Sequence, residues 1–191
     1  MKLCIMTGPF MTGKTTWIER LLLACGLPIA SRNPALAGLE PATPSNTNPL
    51  PRVAGVYTPA VFEGAEKTAI DATLLPSCER FLFAPRRLAR DEQGTHFAGW
   101  DFQSSALQRI NAHLAGCAGC ELLVVDELGP LELQRGQGYT EALRLLDAAA
   151  VPCALLVVRP DLLPQAEARW GAFEQLGPDA SVEGFLAQLR A

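Results

Sequence analysis

Short apolar runs, almost uninterrupted by polar residues, recur along the chain at Leu3–Met6, Val53–Thr58, Leu122–Val125 and Val151–Val158. Strands of a parallel sheet covered on both faces read this way, because neither face alternates with solvent. Between the runs the spacing changes to that of helices with one buried face. Trp17, Ile18, Leu21, Leu22 and Cys25 predict a helix after Thr15, stopped by Gly26 and Pro28. Leu107, Ile110 and Leu114 predict a second, opened by Ser105 with Gln108 placed for a capping box and ended by Gly116. Leu143, Leu146 and Ala149 mark a third within Tyr139–Ala150, and Val182, Phe185, Leu186 and Leu189 a closing amphipathic helix.

The middle of the chain departs from this rhythm. Val61 to Ala72 predicts strands about a turn at Glu63–Glu66; Arg80–Phe83 and Phe97–Phe102 predict further strands, and Ala172–Glu174 a short last one. No helix separates those in the middle, so part of the sheet should be antiparallel. From Ser31 to Arg52 five prolines and Ser45-Asn46-Thr47-Asn48 remove any periodicity, and residues 31–52 are expected to be a Pro-rich flexible insertion in a single domain spanning 1–191.

Composition narrows the class. A chain of 191 residues with 49% hydrophobic and 19% charged residues suits one α/β domain. No run is long or apolar enough for a membrane span, and a glycine-rich loop interrupts any signal-peptide core, so a cytoplasmic location is expected. A net charge of −4 argues against nucleic acid as a partner; the Arg86, Arg87 and Arg90 cluster reads as a solvated loop. Six cysteines are scattered, with Cys4 and Cys153 in apolar runs where a free thiol acts as a small hydrophobe. Cys117 and Cys120 have metal-type spacing, but no second pair accompanies them and only His96 and His113 are present, so no structural zinc is expected.

Two stretches carry the chemistry. Gly8-Pro9-Phe10-Met11-Thr12-Gly13-Lys14-Thr15-Thr16 fits G-x-x-x-x-G-K-[ST], in which backbone N–H groups and the start of the next helix cradle a polyphosphate. In that arrangement Lys14 reaches the outer phosphates and the Thr15 hydroxyl holds Mg²⁺. Glu121 to Glu127 has four apolar residues followed by two acids, the shape of a Walker B segment. In an open α/β sheet the carboxyl ends of the strands share one edge, so Asp126 should meet the loop and steady the metal shell. Glu127 is placed to polarise a water. Arg159, at another strand end, is open between a contact to base or ribose and a surface position. Tyr57 and Trp100 are aromatic candidates for stacking, with core packing the favoured reading of each. A small-molecule kinase would need an arginine-bearing lid, for which Arg86, Arg87 and Arg90 are the available cluster; a nucleotide-binding switch with little turnover is a further alternative. Arg135, as a finger, is not separable from a surface residue.

The run Asp126-Glu127-Leu128-Gly129-Pro130-Leu131-Glu132-Leu133 resembles the small P-loop nucleoside-triphosphatase family, which includes thermophile enzymes and a vertebrate cancer-related nucleoside triphosphatase. Gly55-Val56-Tyr57-Thr58, Glu63-Gly64, Gly99-Trp100 and the Asn111-containing helix fall in that family's order. The chain departs at Met11, where the family has glycine, at Lys67, where it has arginine, and at Ala69-Ile70, where it has Gly-Phe. The resemblance implies a RecA-like three-layer sandwich with a largely parallel sheet and an added antiparallel portion. It also implies Mg²⁺-dependent hydrolysis of ATP, GTP and other nucleoside triphosphates to the diphosphate and phosphate. Carried over by motif, Lys14 and Thr15 belong to phosphate and metal, Asp126 to metal, and Glu127 to water activation.

Overall fold

A computed structural model describes residues 1–9, 12–29, 31, 33–45, 49–86, 96–97 and 99–190. The strands are β1 (Lys2–Met6), β2 (Val53–Tyr57), β3 (Ala60–Glu63), β4 (Glu66–Leu75), β5 (Glu79–Pro85), β6 (His96–Phe97), β7 (Trp100–Asp101), β8 (Leu122–Leu128), β9 (Cys153–Val158) and β10 (Glu174–Leu176). The helices are α1 (Lys14–Ala24), α2 (Ser104–Ala115), α3 (Pro130–Leu133), α4 (Thr140–Asp147), α5 (Leu163–Trp170) and α6 (Val182–Arg190), with single 3-10 turns at Pro34–Leu36 and Pro160–Leu162.

The main sheet runs β10-β1-β9-β8-β2-β4-β3, and β5 pairs with β4. From β10 to β2 all pairings are parallel; β4 then pairs antiparallel with β2, β3 and β5. This is the RecA-like order, with β9 inserted between the strand that leads into the glycine-rich loop and the strand that ends in Asp126 and Glu127.

The uninterrupted apolar runs follow from two cores, one on each face. Leu3 and Ile5 of β1, Leu123 and Val125 of β8, and Ala154, Leu156 and Val158 of β9 face α2, α4 and α5. Their alternates, Cys4 and Met6, Leu122 and Val124, and Cys153, Leu155 and Val157, face α1 and α6. Each fully buried aliphatic side chain of this kind contributes about 2 kcal/mol. On the second face Trp17 meets the edge of Phe185 at 5.5 Å and donates its indole N–H to the Ala180 carbonyl at 2.6 Å, tying α1 to the approach of α6.

Several elements differ from the sequence expectation. Phe97–Phe102 is not one strand: β6 and β7 pair antiparallel with each other, outside the main sheet. Helix α2 begins at Ser104 with Gln103 as its N-cap and no side-chain cap bond, so the Ser105–Gln108 capping box is absent. Pro130 opens the short α3, which the sequence reading did not include; a proline at the first helical position lacks only an N–H that would be orphaned anyway. Helix α4 stops at Asp147, and Ala149 has φ 47°. The last strand is Glu174–Leu176, pairing with Cys4, Ile5 and Met6. Helix α5 has no counterpart in the sequence reading.

Part of the Pro-rich segment lies against α1. Ser31 donates to Glu19 at 2.8 Å, the Asn33 amide donates to the Thr16 hydroxyl at 2.7 Å, and the Ala42 N–H donates to the Leu23 carbonyl at 2.8 Å. Cys117 and Cys120 are buried free thiols; His113 Nε2 is 3.7 Å from the Cys117 sulfur and 3.0 Å from the Leu75 carbonyl. Among the described residues no group of three or more His, Cys, Asp or Glu side chains is arranged to hold a metal, and no helix is long and apolar enough to cross a membrane.

Candidate functional site

Beyond β1 the chain turns through Gly8 and Pro9 and re-emerges at Thr12, entering α1 through Gly13, whose φ of 91° is a left-handed conformation that glycine adopts without steric cost. A Cβ on Gly13 would meet nothing within 4 Å among the described residues, and the backbone angle there calls for glycine. No side chain caps α1, and the first N–H groups of the helix remain outside the helical bonding pattern at the loop. Lys14 turns back over the loop and donates to the carbonyls of Gly8 at 2.9 Å and Pro9 at 2.6 Å; the Thr12 hydroxyl also donates to Pro9, at 2.9 Å. Thr15 is exposed, and Thr16 accepts the Asn33 amide. Phe10 and Met11 lie outside the described residues.

At the carboxyl end of β8 the pairing with β9 slips between Val125 and Leu128. In a regular strand neighbouring side chains point to opposite faces. The irregularity breaks that alternation: Glu127 has φ 66°, unusual for a residue with a Cβ, and Asp126 and Glu127 both line one cleft. Asp126 is only 5% exposed, and one of its carboxylate oxygens accepts the Thr58 N–H at 3.1 Å. The Thr58 hydroxyl donates to the Asp126 carbonyl at 3.0 Å, fixing the end of β8 to the end of β2. Burial pushes the Asp126 carboxyl up to about 7, and the neighbouring Glu127 charge adds to the rise, while the Thr58 hydrogen bonds and Lys67 oppose it. Glu127 itself is exposed to the cleft.

Behind the two acids stands a second carboxylate network. Glu132 is buried; it accepts the Gly129 N–H at 2.9 Å on one oxygen and the Tyr139 N–H at 3.1 Å on the other. Burial raises its pKa, and those backbone bonds counter the rise. Gly138 has φ 70°, and a Cβ there would sit 1.9 Å from Glu132 Oε1. Asn111 of α2 donates to the Gly138 carbonyl at 2.9 Å and accepts the Glu141 N–H at 3.0 Å. The turn after Glu127 is thereby tied to the starts of α3 and α4 and to the middle of α2.

The cleft occupies about 770 Å³ along the carboxyl edge of the sheet. It is lined by Gly8, Pro9, Thr12, Gly13, Lys14, Thr15 and Thr16 of the loop and α1, by Asp126 and Glu127 of β8, and by Phe62, Lys67, Ile70, Trp100 and Phe102. Every sequence-predicted site residue that lies among the described residues therefore faces one space. Arg159, just past the end of β9, lines it as well, and its Nε is buried with no hydrogen-bond partner among the described residues. Tyr57 is buried and donates its hydroxyl to Glu19; burial pushes its phenol up, and that hydrogen bond adds to the rise. Trp100 is half-buried against the Lys67 ammonium. Arg86 pairs with Glu66, Arg135 is exposed and outside the cleft lining, and Arg87 and Arg90 lie outside the described residues.

Sequence reasoning did not single out Thr58, and it noted Lys67 only as a departure from a family pattern. The signal for Thr58 was its place at the end of the Gly55–Thr58 run, and for Lys67 the family's basic position just past the Glu-Gly turn. Chemically, the loop and Lys14 offer N–H donors and a cation to an anion. Thr15 and Asp126 offer hard oxygen ligands, and Glu127 offers an accessible base.

No protein-family model matches the chain, and no curated protein matches it by sequence. Solved structures do. A human cancer-related nucleoside triphosphatase is similar with a TM-score of 0.57 at 17% identity, over 100% of this chain and 94% of that one. THEP1 from the hyperthermophile Aquifex aeolicus is similar with a TM-score of 0.63 at 14% identity, over 100% of both chains. Spanning the whole chain, this likeness establishes that the protein has the RecA-like P-loop fold of the small nucleoside triphosphatases its motifs resemble.

Proposed function

We propose that the chain is a Mg²⁺-dependent nucleoside triphosphatase that converts nucleoside triphosphates to diphosphates and phosphate. The observation that carries this reading is the convergence of Lys14 and Thr15 with Asp126 and Glu127 in one cleft. The loop N–H groups and Lys14 bind and orient the polyphosphate. Thr15 and Asp126 are the residues that would hold Mg²⁺. They fit: both offer oxygen, and Asp126 is a buried carboxylate whose charge a cation would compensate. Two protein oxygens, completed by phosphate and water, also match the sparse protein ligation usual for this ion. Held there, Mg²⁺ would supply positive charge to offset that of the polyphosphate. Glu127 orients a water against the γ-phosphorus and takes its proton. As the new oxygen–phosphorus bond forms, the bond from that phosphorus to the β-γ bridging oxygen breaks, leaving diphosphate and inorganic phosphate. The strand irregularity at Glu127 and the Glu132–Asn111 network hold the base in place.

Purified chain mixed with ATP, GTP or CTP and Mg²⁺, without any acceptor, should release free phosphate in step with diphosphate. Glu127→Gln should lower that rate by roughly 100-fold or more, the usual scale for losing a general base, while nucleotide still binds. A second reading has one observation in its favour: beyond Glu127 the cleft continues along the apolar wall of Phe62, Ile70, Trp100 and Phe102, room for a small-molecule phosphoryl acceptor. Turnover that appears only with an added acceptor would overturn hydrolysis in favour of a kinase. Nucleotide bound without turnover would favour a switch.

A further inference from the structure

The β3–β4 hairpin brings one more charged group to the cleft. Lys67 is the second residue of β4 and pairs with Phe62 of β3, just past the turn at Gly64 and Ala65. Its side chain is half-buried, lines the same space as Lys14 and Glu127, and sets its ammonium 4.7 Å from the centre of the Trp100 ring. In the sheet, β8 is separated from β1 by β9 on one side and from β4 by β2 on the other. Lys14 and Lys67 thus come to the Asp126–Glu127 end of β8 from opposite sides.

The charged form of Lys67 is held at some cost. Burial lowers its pKa, and the charges of Glu127 and then Asp126 act against that fall. Arg80 of β5, which also lines the cleft, is engaged elsewhere, paired with Asp71 at 2.7 Å. An indole face attracts an ammonium without neutralising it, so Trp100 positions the charge and leaves it available to an anion.

We propose that Lys67 is a catalytic cation supplied in cis, its ammonium meeting the non-bridging oxygens of the transferring phosphoryl group from the side opposite Lys14. The proposal rests on the hydrolysis reading above. Charge in this reaction spreads over the equatorial oxygens as the bond to the leaving group loosens, so a cation on the attack side is worth more in the transition state than in the ground state. Lys67 takes no proton and forms no bond; it stays protonated throughout.

Lys67→Met keeps the aliphatic stem against Trp100 and removes the charge, and Lys67→Arg keeps the charge. Lys67→Met should lower kcat on the order of 100-fold or more while KM for Mg²⁺–ATP changes by less than about threefold, and Lys67→Arg should recover activity to within about tenfold of the native chain. By calorimetry, Lys67→Met should lose affinity for ADP with aluminium fluoride, a mimic of the transferring group, and keep its affinity for ADP alone. A melting curve like that of the native chain confirms its fold. The proposal is overturned if Lys67→Met retains kcat within threefold, if ADP and ADP–aluminium fluoride weaken equally, or if Lys67→Arg is as impaired as Lys67→Met. The two readings fail differently. A native chain that releases no phosphate overturns hydrolysis and this proposal together. Turnover lost in Glu127→Gln but kept in Lys67→Met overturns the role of Lys67 alone.

Discussion

Asp126 is the place where the site should work against the stability of the fold. Its carboxyl is buried beneath the cleft, and burial raises its pKa from 3.8 to about 7. Between those values the folded chain binds a proton that the unfolded chain has released, so stability falls as pH rises from about 4 to about 7 and is lowest above that window. At about 1.4 kcal/mol for each pH unit, the gap between the two pKa values corresponds to about 4 kcal/mol. Asp126→Asn removes the titration, and its amide oxygen can still accept the Thr58 N–H. In EDTA at pH 8 the variant should be more stable than the native chain, by up to about 4 kcal/mol, and the difference should shrink towards zero near pH 4. Urea denaturation followed by circular dichroism across pH 4 to 8 measures this directly. Mg²⁺ with nucleotide should stabilise the native chain by more than it stabilises the variant, which keeps the loop, Lys14 and Thr15 but offers the cation no carboxylate. A native chain at least as stable as the variant at pH 8, or a difference that does not change with pH, would refute the argument.

The scaffold behind Glu127 gives two further expectations. Gly138→Ala places a Cβ 1.9 Å from Glu132 Oε1 at a backbone with φ 70°. Left-handed strain of about 1 kcal/mol and the loss of a hydrogen bond to a charged group together predict a destabilisation of about 3 kcal/mol in urea. Turnover should fall with it, because Glu132 holds the Gly129 N–H two residues beyond the base. Asn111→Ala removes the bonds to the Gly138 carbonyl and the Glu141 N–H, about 1 kcal/mol each, and should lower kcat with little change in KM. Wild-type kinetics in that variant would mean that the α2 tether does not reach the base.

Much of this molecule was legible in the sequence because its signals are local. Strands covered on both faces are apolar at every position, which is why Leu3–Met6, Leu122–Val125 and Cys153–Val158 stand out. The loop from Gly8 to Thr16 announces itself through residues that are neighbours in the chain, and the acid pair through its position at the end of an apolar run. Helix α5 was not legible: within its eight residues only Ala166 is fully buried, and Leu163 and Trp170 complete a stripe of three positions, too short to stand out as a period. Strands β6 and β7 have two residues each, too short for any period, and they leave the main sheet.

By itself, then, the sequence determined the α/β class, the polyphosphate-type loop and the two acids that face it, since each depends on spacing within a few residues. Only the tertiary structure decided how these are brought to bear. The order β1-β9-β8 sets the loop beside Asp126, and the slipped register at the end of β8 turns Glu127 into the cleft with its neighbour. Pairing of β2 with β4, close in sequence yet antiparallel to the rest, carries Lys67 to the far side of the same acids. Those arrangements come from strand order and register, properties of chain segments far apart or paired across the sheet, and no window of residues contains them.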